Sequence, residues 1–439
     1  MKGNLLIALL SLTILIIIVF GTVCVTHQTG EVEFTDSGLE TIIRNKIDKP
    51  SGTISTDDVE NIESLSIFTP YEDTMDLSGL EHLTGLKTLK CMGQSGLSDL
   101  SPLSGLTNLE KLTLSCGGVD LSQLSGLKKL EYLSLASDQI TDLSPLSALV
   151  TLRELCLTGS GITDLSPLSD LYSLGKLTLT VSSVSSLSPL SGLTQLEFIR
   201  FEGCEIPPLS DLPTLENLLL TNCQISDTAL LSDLPTLEHL HVWDCQIEDV
   251  CALGNLGSTK NLNLLRNGIS DLSFLSTLTG LQGLTLTEES GLSDLSPLSG
   301  LTNLSDLDLS GNSISDISPL SGLTGLTSLD LRENEISGLT PLAGLIGLRE
   351  LYLNENEISD ISPLSGLPNL VQLNLYQNQI SNLDPLLEAA FLQQINTIDI
   401  GDTENYIHTG TIHLGNNPLS DTSLEEYLPQ LEEMGVVVE

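Results

Sequence analysis

The sequence is short of basic and aromatic residues. Sixteen Lys and Arg stand against 58 Asp and Glu, a formal charge of −42. Phosphate backbones are held by clusters of Lys and Arg, so nucleic acid is excluded as the expected partner. An acidic surface suits basic protein surfaces, loosely held cations or solubility in strong salt, and composition does not separate these. Aromatics are 3% of the 439 residues, with one Trp, and composition this biased calls for a search for internal repeats before any count of domains. The eight cysteines are scattered without a CxxC pair, which excludes a zinc ribbon and a thioredoxin-type motif. There is no GxSxG, no GxxxxGK phosphate loop and no GxGxxG, and the many serines fall at repeat positions whose roles are turns and caps. Binding rather than catalysis is therefore expected, without a cofactor.

What is present begins with an address. After Met1-Lys2-Gly3-Asn4, residues 5–25 carry no charge and are mostly Leu, Ile and Val, about the length that spans a bilayer. Export to the cell surface or beyond follows, with residues 1–29 as signal peptide or membrane anchor. No small-x-small cleavage site follows the apolar run, and Val23 stands before Cys24. An uncleaved anchor is the first reading and lipidation at Cys24 the second.

Beyond it the chain repeats itself about every 22 residues, with turns starting at Leu304, Leu326, Leu348 and Leu370. The frame runs back through Leu281, Leu237, Leu215, Leu196, Leu174, Leu152, Leu130, Leu109 and Leu86, with a degenerate turn at Thr259, about fourteen turns in all. In Leu304-Ser-Asp-Leu307-Asp-Leu309, strand alternation sends Leu307 and Leu309 to one side and Asp306, Asp308 and Ser310 to the other. One repeat cannot bury its own leucines. Neighbouring turns must stack, which predicts an α/β solenoid: a right-handed arc with a parallel sheet on the inner curve, 3₁₀-like convex returns and a length of about 70 Å at ~4.8 Å per strand.

Three residues after the last strand leucine, Asn267, Asn312, Asn334, Asn356, Asn378 and Asn417 are placed to bond backbone groups left unpaired at the bend. Cys204, Cys223 and Cys245 hold the same slot in three successive turns and read as small buried residues rather than a disulfide or metal site. Ser before Pro, as in Ser318-Pro319 and Ser362-Pro363, fits an N-cap followed by Pro at the first helical position. The column Asp142, Asp164, Asp249, Asp271, Asp294, Asp316 and Asp360 lies on the return edge. One carboxylate per turn is a poor cage for Ca²⁺, so capping is the expected role.

Both ends carry cap signals. Ser37-Gly-Leu-Glu40 predicts a capping box opening a helix with Leu39, Ile42, Ile43 and Ile47 on one side, stopped by Lys49-Pro50. Thr422-Ser-Leu-Glu425 predicts a second box and a helix towards Gly435, with Val436 to Val438 extended after it. The expected divisions are a helical cap over 30–61, repeats over 62–393, and an irregular last repeat with its cap over 394–439. The run NxISDISPLSGLTNL, with the segment Phe34 to Val59 and the C-terminal segment from Asn417, resembles the internalin-type leucine-rich repeats of bacterial surface proteins, over most of residues 34–439. That resemblance implies extracellular protein binding through the concave sheet. The chain departs from better-known members in lacking an LPxTG-like signal and an immunoglobulin-like segment after the repeats, which puts host invasion in doubt and leaves attachment to the apolar N-terminus.

If the concave face binds, its contact residues are the variable ones between strand leucines. One patch differs from the bland Ser, Thr, Asp and Glu elsewhere: Phe198, Arg200 and Glu202, then Asn217 and Leu219, then His239, His241 and Trp243, with Leu265 and Arg266 following. Arg200, Leu219, His241 and Asn263 are expected to stack in one column and Glu202, Thr221, Trp243 and Leu265 in the next, so that the only Trp faces outward. Trp and Arg in an apolar strip have the make-up of an interface hot spot. The nineteen-residue step from Leu196 to Leu215 should alter curvature beside it. A secondary patch is Arg332, Tyr352 and Tyr376, next to Asp308 and Asp330. The His239-x-His241 pair points both imidazoles one way, as some metal sites need, but a third ligand is hard to find, so no metal is expected. The expected partner is a protein bound by a monomer. The competing reading is an envelope component that self-associates, or binds cations, through its acidic surface.

Overall fold

In the computed structural model, residues 30–438 are described except 69–75, 94–96, 98, 118–119, 182–183, 226–230, 232–233, 248, 290, 396 and 400–409. The apolar segment 5–25 and Cys24 lie outside the described residues. Among those described, no helix is long and apolar enough to cross a membrane.

The two-residue alternation settles the architecture. Strands five residues long, from Ser64–Phe68 to Gly283–Thr287, bury their second and fourth residues and turn the first, third and fifth to the opposite face. Shorter strands from Asp306–Asp308 to Gln372–Asn374 continue the pattern. All pair in parallel, each with its neighbour one repeat on, from Ser64–Phe68 through to Thr411–His413. Leu, Ile and Val from every turn join in one continuous core. Thr259 stands where a repeat leucine belongs and is buried all the same, its hydroxyl donating to the Leu237 carbonyl at 3.3 Å.

The returns are short 3₁₀ turns such as Ser318–Gly322 and Ser362–Leu364. Their caps differ from the expected Ser. Ser318 lies inside the turn, Ile317 precedes it, and the carboxylate of Asp316 accepts the Ser318 N–H at 2.8 Å. Asp142, Asp164, Asp249, Asp271, Asp294 and Asp360 each accept the amide two residues on, at 2.8 to 2.9 Å. An acidic side chain reaches this amide across one residue, as in an Asx turn, whereas the Ser hydroxyl is already past it. The Asp column is a set of caps.

The asparagine ladder stitches turns together. Asn334 accepts the Ile314 N–H at 3.0 Å and donates to the carbonyls of Leu309, Leu331 and Arg332 at 3.0 to 3.1 Å. Cys223 and Cys245 occupy the slot as free thiols, with Cys245 Sγ accepting the Cys223 N–H at 3.3 Å. Glu289 fills the slot between Asn267 and Asn312, 1% exposed, and its carboxylate accepts the amides of Asn267 and Ile269.

Both helical caps form, each with its capping residue shifted from the expected position. Asp36, not Ser37, caps Ser37–Lys46, accepting the Leu39 N–H at 2.9 Å, and Leu39 and Ile43 are buried. A reciprocal box does exist one element later, where Ser55 and Asp58 close the short helix Thr56–Val59. At the C-terminus Ser420, not Thr422, accepts the Ser423 N–H at 3.2 Å. Ser423 is fully buried and donates to the Ser381 carbonyl at 2.7 Å, docking the wide turn Ser423–Tyr427 and the helix Leu428–Glu433 on the last repeat. There the order in the sheet departs from chain order. Thr411–His413 pairs with Gln372–Asn374, while Thr397–Asp399 lies outside it and pairs with Val437–Val438.

Candidate functional site

With the leucines committed to the core, each strand offers its odd residues to the concave face. Phe198, Arg200 and Glu202 lie beside Asn217, Leu219 and Thr221, these beside His239, His241 and Trp243, and these beside Asn261, Asn263 and Leu265. The two expected columns form as drawn. Trp243 is half-buried on the outward side of its strand, so the register that would bury it does not occur.

Within this strip Trp243 Nε1 donates to Asn263 Oδ1 at 3.0 Å, and the His241 ring meets Trp243 edge to face at 5.9 Å between centroids. Burial, and the neighbouring His239, push the His241 imidazolium below its ordinary pKa, so at neutral pH it stands uncharged. Arg200 bonds Glu202 on its own strand at 2.8 Å. Arg266 sits past the strand end at φ +54° and turns to Asp244 at 2.6 Å and Glu288 at 3.4 Å. It belongs to the rim. Arg200 Nε, Thr221 Oγ1 and His241 Nδ1 are buried yet find no hydrogen-bond partner among the described residues. Buried polar atoms are normally paired, and these three exceptions lie on one strip of the concave face. His239 and His241 share the face, and among the described residues no cluster of three His, Cys, Asp or Glu is placed to hold a metal.

The secondary patch lies in a hollow of the concave face. This hollow, of about 860 Å³, runs from His241 to His413, and Arg332, Tyr352 and Tyr376 all line it. Its middle column is Thr285, Asp308, Asp330, Tyr352, Asn374 and His413, in register from strand to strand. Asp330 is 9% exposed, and burial, with the charge of Asp308 beside it, pushes its carboxyl up to about 6. Burial and Glu350 push Tyr352 up to about 12. Arg332 meets Asp330 at 3.0 Å. Asn354, 7% exposed, holds Oδ1 without a donor among the described residues. The alternation sets Arg332, Tyr352 and Tyr376 apart, with Asp308 and Asp330 beside them, but as a patch second to the Trp243 strip. Asn354 was missed because it falls two positions beyond the strand Glu350–Tyr352, where the alternation still holds but the leucine frame draws the eye inward.

A parallel sheet of LxxLxL turns, an asparagine ladder and 3₁₀ returns define a leucine-rich-repeat solenoid, and residues 302–344 and 346–388 each match the family model for leucine-rich repeats in two copies. Within that class the chain shares its fold with the functional domain of the internalin InlJ from Listeria monocytogenes, described as including a cysteine ladder (20% identity, 87% of this chain and 85% of that one, TM-score 0.50). It shares it also with a leucine-rich-repeat protein of Leptospira interrogans (20% identity, 78% and 92%, TM-score 0.57) and with mouse RP105, solved in complex with MD-1 (20% identity, 82% and 68%, TM-score 0.57). The resemblance to internalin-type repeats therefore holds in the fold. Among curated protein sequences none matches the chain.

Proposed function

We propose that the protein is an exported recognition module that binds a protein partner on the concave face of its solenoid. The observation that carries this is the strip from Phe198 to Leu265: aromatic and apolar side chains in adjoining columns, with three buried polar atoms unsatisfied by the described residues. Solenoids of this kind use their concave surface for binding, and desolvated Trp and Arg are the residues that anchor interfaces. The apolar segment 5–25 supplies the route out of the cell and a means of attachment.

Replacing Phe198 and Trp243 together by Ala tests the reading. Capture of surface proteins by the immobilised full-length chain should fall at least about tenfold, as loss of a hot spot requires, while the melting temperature changes little. Equal capture by the variant and the wild type would remove the strip from the interface.

A further inference from the structure

We propose that the hollow in the C-terminal half of the concave face receives an arginine side chain of the partner, held by Asp308, Asp330 and Asn354 against the ring of Tyr352. This rests on the protein-binding reading above and gives the partner its chemistry.

Charge chooses the ligand. The hollow is lined by Asp306, Asp308, Asp330, Glu333, Glu350 and Glu355, against the single guanidinium of Arg332. Asp308 and Asp330 are register partners on adjacent strands, so their side chains rise side by side from the sheet. Like charges placed so repel, and this repulsion adds to burial in raising the pKa of Asp330. Arg332, two residues past the end of the strand Ser328–Asp330, approaches Asp330 at 3.0 Å. A cation arriving from outside relieves what remains.

The uncharged groups narrow the choice further. Asn354 Oδ1 is an acceptor buried in the wall of the hollow, and no described group donates to it. A buried acceptor of this kind calls for a donor. Tyr352 stands next to Asp330 in the same column and offers an aromatic face. A guanidinium answers all three demands together: it is planar, carries five N–H donors in a fixed fork, and stacks on aromatic rings. An ammonium is a point donor and serves fewer of them. A bare cation is disfavoured, since among the described residues no three ligands converge at metal distance. The volume of about 860 Å³ leaves room for the chain that carries the arginine.

The probe is a fluorescent peptide with two arginines spaced by glycines. Its counterpart replaces each arginine by citrulline, which keeps the shape and removes the charge. The full-length chain is expected to bind the arginine peptide at least about tenfold more tightly than the citrulline one, and Asp330→Asn and Asn354→Ala each to weaken it about tenfold. Asn354→Asp, which adds charge at the same place, should tighten it. Asp316→Asn, a cap on the return edge, should leave it unchanged. Identical binding of the two peptides, or binding by the Asp330 and Asn354 variants equal to wild type, means that the acidic surface at large holds the probe, and overturns the proposal. Asn354→Asp guards against a folding defect, since a misfolded variant does not bind more tightly. A surface partner lost with the Phe198 and Trp243 variant but kept by Asp330→Asn and Asn354→Ala would sink this inference and leave the broader function standing.

Discussion

At the scale of single residues, two kinds of buried polar group bear opposite signs. Asn334 bonds four backbone groups belonging to two turns; the carbonyls of Leu309, Leu331 and Arg332 also accept from Asn312, Asn356 and the Gly311 N–H, so the Ile314 N–H is the group that depends on it. Asn334→Ala leaves the Ile314 N–H buried and unpaired and removes one donor from each of the three carbonyls, so unfolding by urea should show a loss of about 1–3 kcal/mol. Cys223 makes long thiol contacts to the Phe201 and Thr221 carbonyls and meets the Cys245 thiol, all weaker than amide bonds, so Cys223→Ala should cost distinctly less. Comparable losses for the two would refute the ladder as a hydrogen-bonding device. Asp330 is the reverse case. Its carboxyl titrates near 6 in the folded chain and near 3.9 when unfolded, so the folded state holds the extra proton between those values and loses stability as the pH rises through them. Asp330→Asn should therefore stabilise the fold at pH 7 by up to about 3 kcal/mol, reduced by the lost pairing with Arg332, and the gain should vanish below about pH 4. Melting curves at the two pH values check it, and a gain independent of pH would mean that ionisation is not its source. Stability gained here would be binding lost, if the hollow works as proposed.

Elements show where the pattern in the chain carries and where it stops. Alternation places side chains on a face with certainty once a strand is granted, because a slip of one residue would expose every leucine, and so the columns Arg200–Leu219–His241–Asn263 and Glu202–Thr221–Trp243–Leu265 were legible beforehand. The hollow was not. The secondary patch of Arg332, Tyr352 and Tyr376 with Asp308 and Asp330 marked part of its lining, but its depth depends on how successive returns curve the sheet. Cap positions slipped by one or two residues, from Ser37 to Asp36, Thr422 to Ser420 and Ser318 to Asp316, because Ser, Thr and Asp all signal a helix start and only backbone geometry decides which of them reaches the free amide. The exchange of order between Thr397–Asp399 and Thr411–His413 has no mark in the repeat at all. The caps themselves predict an acid response. Hydrogen bonds from the Ser side chain and backbone hold Asp142 and Asp316 below the usual carboxylate range, and the same two donors act on Asp164, Asp271, Asp294 and Asp360. A depressed value stabilises the fold above the unfolded value and loses that contribution as the pH falls through the folded one. Changing these six to Asn keeps an acceptor for the amide but removes the titration. That variant should lose less melting temperature than wild type between pH 5 and pH 3, and an equal loss would show that acid acts elsewhere.

For the whole molecule, the charge of −42 on a thin, extended stack matters more than on a sphere, because each turn repels mainly its neighbours. Ion pairs such as Lys87 with Glu63 and Lys260 with Glu238 join one turn to the next, yet these are at the surface and contribute little. Repulsion between turns then outweighs pairing, and the two respond differently to salt. Raising the salt from roughly 0.01 M to roughly 1 M shortens the Debye length from about 30 Å to about 3 Å, which removes repulsion across the roughly 5 Å between adjacent strands only in part but removes it between more distant turns. The melting temperature should rise over this range. Binding of the arginine peptide should weaken over the same range, since attraction between opposite charges is screened in the same way. Opposite signs from one titration separate stability from recognition. A melting temperature that fell with salt would mean that pairing between turns prevails over repulsion, and the acidic surface would then be a source of cohesion along the solenoid.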